Sequence, residues 1–270
     1  MKKWIFNGLI IVFTLTLIGS AAALASYYIG SAQHSSRSQE LAVLHEAVTP
    51  RPSVSETPGE TVSGSVLEEI TDPQTGETVL LLPELKELYL LNNHIVGWIQ
   101  IPGTDIDYPV MQTPDEPDYY LTHNFDREYS QRGAVYASEV CDIEKPSDNI
   151  TLYGHRMRDG TMFAQLDKYT DPDFYAENPY IYFDTLTQLH TYQVMAVFLT
   201  TASQGEGFAY HLFVDAAEDT EFTAFVSTCR ELSLYDTGVT AEPGDTFITL
   251  STCEYSQING RLVIVAKRVS

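Results

Sequence analysis

The amino-acid sequence predicts a mainly β domain, a sandwich or a closed barrel, opened by one helix and interrupted by another. Short runs rich in β-branched and aromatic residues recur between turn residues from Trp98 onward, eight of them in all, and that many short strands in one domain is the pattern of an all-β architecture. Two segments instead space their apolar residues at helical intervals. One is Pro83-Glu84-Leu85-Lys86-Glu87-Leu88-Tyr89-Leu90-Leu91, with Pro at a helix start. Strands are then predicted at 98–101, 106–111, 133–137, 149–153, 180–183 and 190–200, the first closed by a Pro102-Gly103 turn. The second helical segment, residues 215–234, sets Phe222, Phe225, Val226, Cys229 and Leu232 on one stripe with acidic residues leading it. The last two strands, 246–251 and 261–269, follow it.

The first third of the chain does not read as part of that core. Lys2 and Lys3 are followed by no charged residue until Arg37, and residues 4–29 are mostly apolar, a run longer than the roughly 20 residues that cross a bilayer. Positive charge ahead of the run predicts a cytoplasmic N-terminus with everything after it outside the cell. Ala23-Leu24-Ala25 also fits a cleaved signal peptide, but the apolar run continues through Tyr27, Tyr28 and Ile29, beyond the usual length of such a segment. Residues 1–30 are therefore read as a transmembrane anchor. Residues 31–81 are rich in Ser, Thr, Pro, Gly and Glu and lack Phe, Trp and Tyr, so they are expected to form a flexible extracellular stalk, with a short helix at 39–47. Residues 82–270 form the folded domain.

Charge excludes one class of partner. Lys and Arg total 15 against 37 Asp and Glu, a net charge of -22, so nucleic acid would bind against the protein's own field. Cys141, Cys229 and Cys253 are too few for a disulfide scaffold and odd in number, which leaves at least one thiol to explain in an exported protein. Cys229 lies on the apolar helical stripe and reads as a small buried hydrophobe. Cys141, in a polar loop, has no acid or base neighbour in sequence.

Cys253 differs in its setting, because the strand Thr246-Phe247-Ile248-Thr249-Leu250-Ser251 runs out there, and strand ends present side chains at the rim of a sheet. A nucleophilic sulfur must be a thiolate, which near neutral pH requires a proton acceptor or a nearby cation. Seven residues on comes Gly260, and Arg261 then opens the final strand, so a hairpin returns a guanidinium to the sulfur. Arg stays charged and presents two donors to an oxyanion or a peptide carbonyl. Ile150-Thr151-Leu152-Tyr153-Gly154-His155 repeats the arrangement, a strand ending in glycine and then a titratable group. No H-x-x-x-H or C-x-x-C spacing surrounds His155, so no metal is assigned.

Thr151-Leu152-Tyr153-Gly154-His155 with Met162-Phe163, and Thr249-Leu250-Ser251-Thr252-Cys253 with Arg261-Leu262-Val263-Ile264, resemble the two signature blocks of sortases. His155 and Cys253 stand 98 residues apart in that order, and the match spans about residues 82–269. The helix before the cysteine strand, the N-terminal helix and the aromatic stretch Asp118-Tyr119-Tyr120 resemble class B. The resemblance implies an eight-stranded sortase β-barrel in which the strands carrying His155, Cys253 and Arg261 lie side by side. It also implies a mechanism without a cofactor. Cys253 attacks a Thr carbonyl in the C-terminal sorting signal of a surface protein, His155 protonates the leaving amine, and Arg261 steadies the oxyanion. An amine of a peptidoglycan precursor, or a pilin Lys, then resolves the thioester. Tyr153, Ser251, Thr252 and Glu254 flank the pair and are the expected substrate contacts. The sorting pentapeptide stays open, although class B relatives often take Asn-Pro rather than Leu-Pro signals.

Three other readings compete. A pilin-polymerising sortase would share every motif. An exported Cys/His peptidase would pass the acyl group to water, but papain-like folds place the nucleophile early, at a helix start, whereas Cys253 is late and at a strand end. A surface adhesion module would leave His155 and Cys253 incidental.

Overall fold

In a computed structural model of the chain, residues 2–46, 66–203 and 205–270 are described. The chain divides into two compact units, one ending at Leu41 and the other beginning at Ala42. Helix α1, Lys2–Glu46, is long and apolar enough to cross a membrane. Its apolar residues 4–29 alone rise about 39 Å at 1.5 Å per residue, more than a typical hydrocarbon core of about 30 Å. The helix does not stop where the sequence composition changes at residue 31. Residues 31–46 contain neither Pro nor Gly, and an Arg37–Glu40 ion pair of 2.9 Å spans one turn, so nothing local breaks the backbone ladder. The Pro-rich part of the expected stalk, 47–65, lies outside the described residues.

Ordered structure resumes ahead of residue 82. Strands β1, Glu68–Thr71, and β2, Thr78–Leu81, form an antiparallel hairpin. Asp72 closes its turn, one carboxylate oxygen accepting from the Gln74 and Thr75 amides at 2.7 and 3.3 Å. The other accepts from Tyr89 Oη and Asn93 Nδ2, both at 3.0 Å, which pins the hairpin to helix α2, Pro83–Leu91. These donors hold the Asp72 carboxyl at about 2.

The remaining strands are β3 (Ile95–Gln100), β4 (Asp107–Met111), β5 (Val135–Ala137), β6 (Asn149–Tyr153), β7 (Tyr180–Thr185), β8 (Thr191–Thr201), β9 (Phe247–Cys253) and β10 (Gly260–Arg268). They close into an eight-stranded barrel in the order β10-β8-β7-β3-β4-β5-β6-β9. The β4–β5 and β6–β9 pairs are parallel and the others antiparallel. Of the two architectures the strand count allows, the chain adopts the closed barrel. A short helix α3, Pro172–Glu177, precedes β7, and helix α4, Asp219–Leu232, is inserted between β8 and β9.

Two apolar clusters follow from the period-2 alternation of the strands. Ile150, Leu152, Ile248, Leu250, Leu262 and Ile264 fill the barrel interior. The opposite parity of β9 and β10, Phe247, Val263 and Val265, packs outside the barrel against Phe222, Phe225 and Cys229 of α4. An amphipathic helix inserted before the last two strands thus covers the outer face of those same strands.

Candidate active site

Three neighbouring strands carry the residues singled out by sequence. In the antiparallel β9–β10 pair Cys253 stands directly opposite Arg261, a position at which Cβ atoms lie about 4.5–5.5 Å apart. In the parallel β6–β9 pair the last registered partners are Tyr153 and Ser251, and both chains run two residues further, to His155 and Cys253. The two ends stay joined past that register: Gly154 N donates to Ser251 O at 3.3 Å and Thr252 Oγ1 donates to Gly154 O at 2.8 Å. Hydrogen-bonded strands lie about 4.8 Å apart, so imidazole, thiol and guanidinium leave three adjacent strand ends at one level.

Parity decides which way they face. Cys253 shares its face with Phe247 and Ser251, and Arg261 shares its own with Val263 and Val265, the face turned away from the barrel interior. At the α4 end that face is sealed, whereas Cys253 and Arg261 are half-buried. His155 is also half-buried, and its Nε2 lies 2.8 Å from the carbonyl oxygen of Leu121. A carbonyl only accepts, so Nε2 carries a proton and Nδ1 is the nitrogen that takes or gives one.

Two glycines permit this geometry. A Cβ on Gly154 would stand 2.6 Å from the buried Phe163 ring, and Phe163 N in turn donates to His155 O at 2.9 Å, which explains Met162-Phe163 as the companion of the histidine block. A Cβ on Gly260 would meet the Glu254 carbonyl oxygen at 2.5 Å, while Glu254 N donates to Gly260 O at 2.9 Å to close the β9–β10 turn.

The flanking residues separate. Tyr153 is half-buried, tilted against Tyr136 with ring centroids 5.4 Å apart, and burial pushes its phenol up. Ser251 lies on the outward face, buried beneath Tyr210, with the two hydroxyls 2.6 Å apart. Thr252 has the inward parity of Leu250, is 2% exposed and spends its hydroxyl on Gly154. It ties two strand ends together and is not open to a ligand. Glu254 is half-buried beside the sulfur, its carboxyl held down first by the Ser256 hydroxyl and amide, at 2.5 and 2.8 Å.

Tyr210 was not identified from sequence. It sits in a turn of 3-10 helix, Tyr210–Leu212, far from either motif, and burial pushes its phenol up while the Ser251 hydrogen bond and the Arg261 charge act the other way. No local pattern reports such a neighbour, because only the fold brings the segment over Ser251. Cys141 and Cys229 are both buried and burial pushes both thiols up. Among the described residues no three His, Cys, Asp or Glu side chains are grouped to hold a metal ion.

Comparison with known proteins places the fold and the family. The family model described as the Sortase domain matches residues 99–269. Sortase B of Listeria monocytogenes is 35% identical over 189 residues, 69% of this chain and 74% of that protein. Sortase B of Staphylococcus aureus is 32% identical over 187 residues, 68% and 74% of the two chains. The crystal structure of sortase B from B. anthracis in complex with AAEK1 superposes with a TM-score of 0.70 at 30% identity, covering 90% of this chain and 99% of that one. The Staphylococcus aureus sortase B–substrate complex gives 0.71 at 26% identity, covering 89% and 98%. The closed eight-stranded barrel with its N-terminal and inserted helices is the fold these structures share with it. The chain belongs to the sortase family, as a class B cysteine transpeptidase.

Proposed function

We propose that this cell-wall-anchoring transpeptidase works through a thioester on Cys253, with His155 as acid and base and Arg261 as the cation at the oxyanion. The observation that most supports the reading is the register: Arg261 opposite Cys253, and His155 at the end of the parallel strand beside it. The Cys253 thiol gives its proton to His155, the thiolate attacks the Thr carbonyl carbon of a sorting signal, and the carbonyl oxygen takes negative charge, which the fixed charge of Arg261 offsets. Collapse of this intermediate breaks the peptide C–N bond as His155 delivers a proton to the departing amine. An incoming amine then attacks the thioester and gives its proton to His155, the C–S bond breaks to leave a new amide, and His155 returns the proton to the departing Cys253 thiolate. Tyr153 and Glu254, both half-buried, are the side chains we place along the substrate, while Ser251 and Thr252 are each 2% exposed with their hydroxyls engaged.

The nucleophile we favour is an amine of a peptidoglycan precursor. Helix α1 supports a single-pass membrane protein with Lys2 and Lys3 on the cytoplasmic side and the barrel outside the cell, held by residues 1–30 and set off by the segment that follows. The test offers the full chain, in detergent, fluorogenic pentapeptides that begin Asn-Pro or Leu-Pro and carry Thr before the scissile bond, with and without triglycine. Mass spectrometry should find the triglycine adduct rising with triglycine concentration. Free acid as the sole product at every concentration would make the enzyme a hydrolase.

A further inference from the structure

The two segments that follow the proposed catalytic residues are joined to each other. Tyr255 Oη donates to the Arg156 carbonyl oxygen at 3.3 Å, and the Arg156 guanidinium lies over the Tyr255 ring, 5.0 Å from its centroid. Thr252 makes the matching bond on the other side, to the carbonyl of Gly154 at 2.8 Å. The carbonyls of the two residues that flank His155 in sequence, Gly154 and Arg156, are therefore each held by a hydroxyl from a residue one or two places from Cys253. Arg156 is itself fixed by Asp167, which accepts from its Nε at 2.8 Å and from its Nη2, and Glu254 adds its charge nearby. On its far side the same β9–β10 loop is held by Gln257 Nε2, which donates to Thr200 O at 2.8 Å.

Stability does not explain the Tyr255 contact. The side chain is 66% exposed, and a cation over an exposed ring adds little to folding. What the contact fixes is distance, because it ties the chain just after the imidazole to the chain just after the thiol, on strands that are already in register.

We propose that Arg156 and Tyr255 are positioning residues, a latch that holds His155 at working distance from Cys253; the proposal rests on the catalytic reading given above. Misplacement of a catalytic group by about 1 Å costs up to about a hundredfold in rate. In the full chain in detergent, with the same fluorogenic peptides and triglycine, Tyr255→Ala is expected to lower kcat about tenfold, with KM and melting temperature nearly unchanged. Arg156→Gln should do the same. Tyr255→Phe keeps the ring beneath the guanidinium but loses the hydroxyl bond to the Arg156 carbonyl, and should recover part of the loss. A kcat within about twofold of wild type in Tyr255→Ala would overturn the latch, as would a rise in KM alone, which would mark a substrate contact. A loss of kcat that follows melting temperature and is not recovered in Tyr255→Phe would overturn it too. Cleavage that survives in Cys253→Ala would sink the catalytic assignment itself, a separate failure visible in a separate variant.

Discussion

The two ends of the β9–β10 strand pair obey one alternation and come to opposite fates. At the Phe247 end the outward-facing side chains meet α4: the Phe222 and Phe247 rings stack at 5.3 Å, Phe213 and Phe225 stack at 4.0 Å, and all four are at least nine-tenths buried. At the other end the same face carries Cys253 and Arg261, and both stay half-buried. Residue parity sets the face, and the reach of one inserted helix sets whether that face becomes core or site. The cysteines make the same point, since Cys229 in α4 is fully buried with its thiol pushed up, while Cys253 stands at the rim.

That contrast breaks most sharply by removing the thiol or the imidazole. Cys253→Ala and His155→Ala should each lower peptide cleavage by at least about a thousandfold with unchanged thermal melting, whereas Cys229→Ala should melt earlier and keep its turnover number. At the covered end Phe225→Ala should cost about 3–5 kcal/mol in urea unfolding, with kcat of the folded protein within about twofold. Arg261→Lys, which keeps charge but loses the fork, should retain about one part in a hundred of kcat, and wild-type rates in that variant would remove Arg261 from the proposed chemistry. Gly154→Ala pushes a methyl group against Phe163 and should cost about 1–3 kcal/mol, together with some kcat because His155 follows directly.

Much of this was legible in the sequence. The eight strands fall where β-branched runs alternate with turns, and α2 and α4 fall on their apolar stripes, because both signals come from burial of one face. His155, Cys253 and Arg261 could be singled out because each sits at or just past a strand terminus, and the fold brings those termini side by side. The alternation Ile248, Leu250, Thr252 turns Thr252 inward, where its hydroxyl holds the Gly154 carbonyl. The β1–β2 hairpin was hidden because its strands are four residues long and polar, and its order depends on Asp72 reaching Tyr89 and Asn93 across the fold. Helix α1 runs on into the short helix expected at 39–47, and the stretch between, residues 30–38, was hidden by serines that prefer caps and turns but do not forbid a helix. Tyr210 and the Arg156–Tyr255 contact are tertiary facts, with partners 41 and 99 residues away, and no local pattern encodes them.

The most direct test mixes the full chain with a cleavable sorting peptide, quenches in acid within the first turnover and locates the acyl adduct by peptide mapping. The account predicts one acyl group, carried by Cys253, with Cys141 and Cys229 unmodified. An adduct on either buried cysteine, or turnover with no adduct at Cys253, would contradict it.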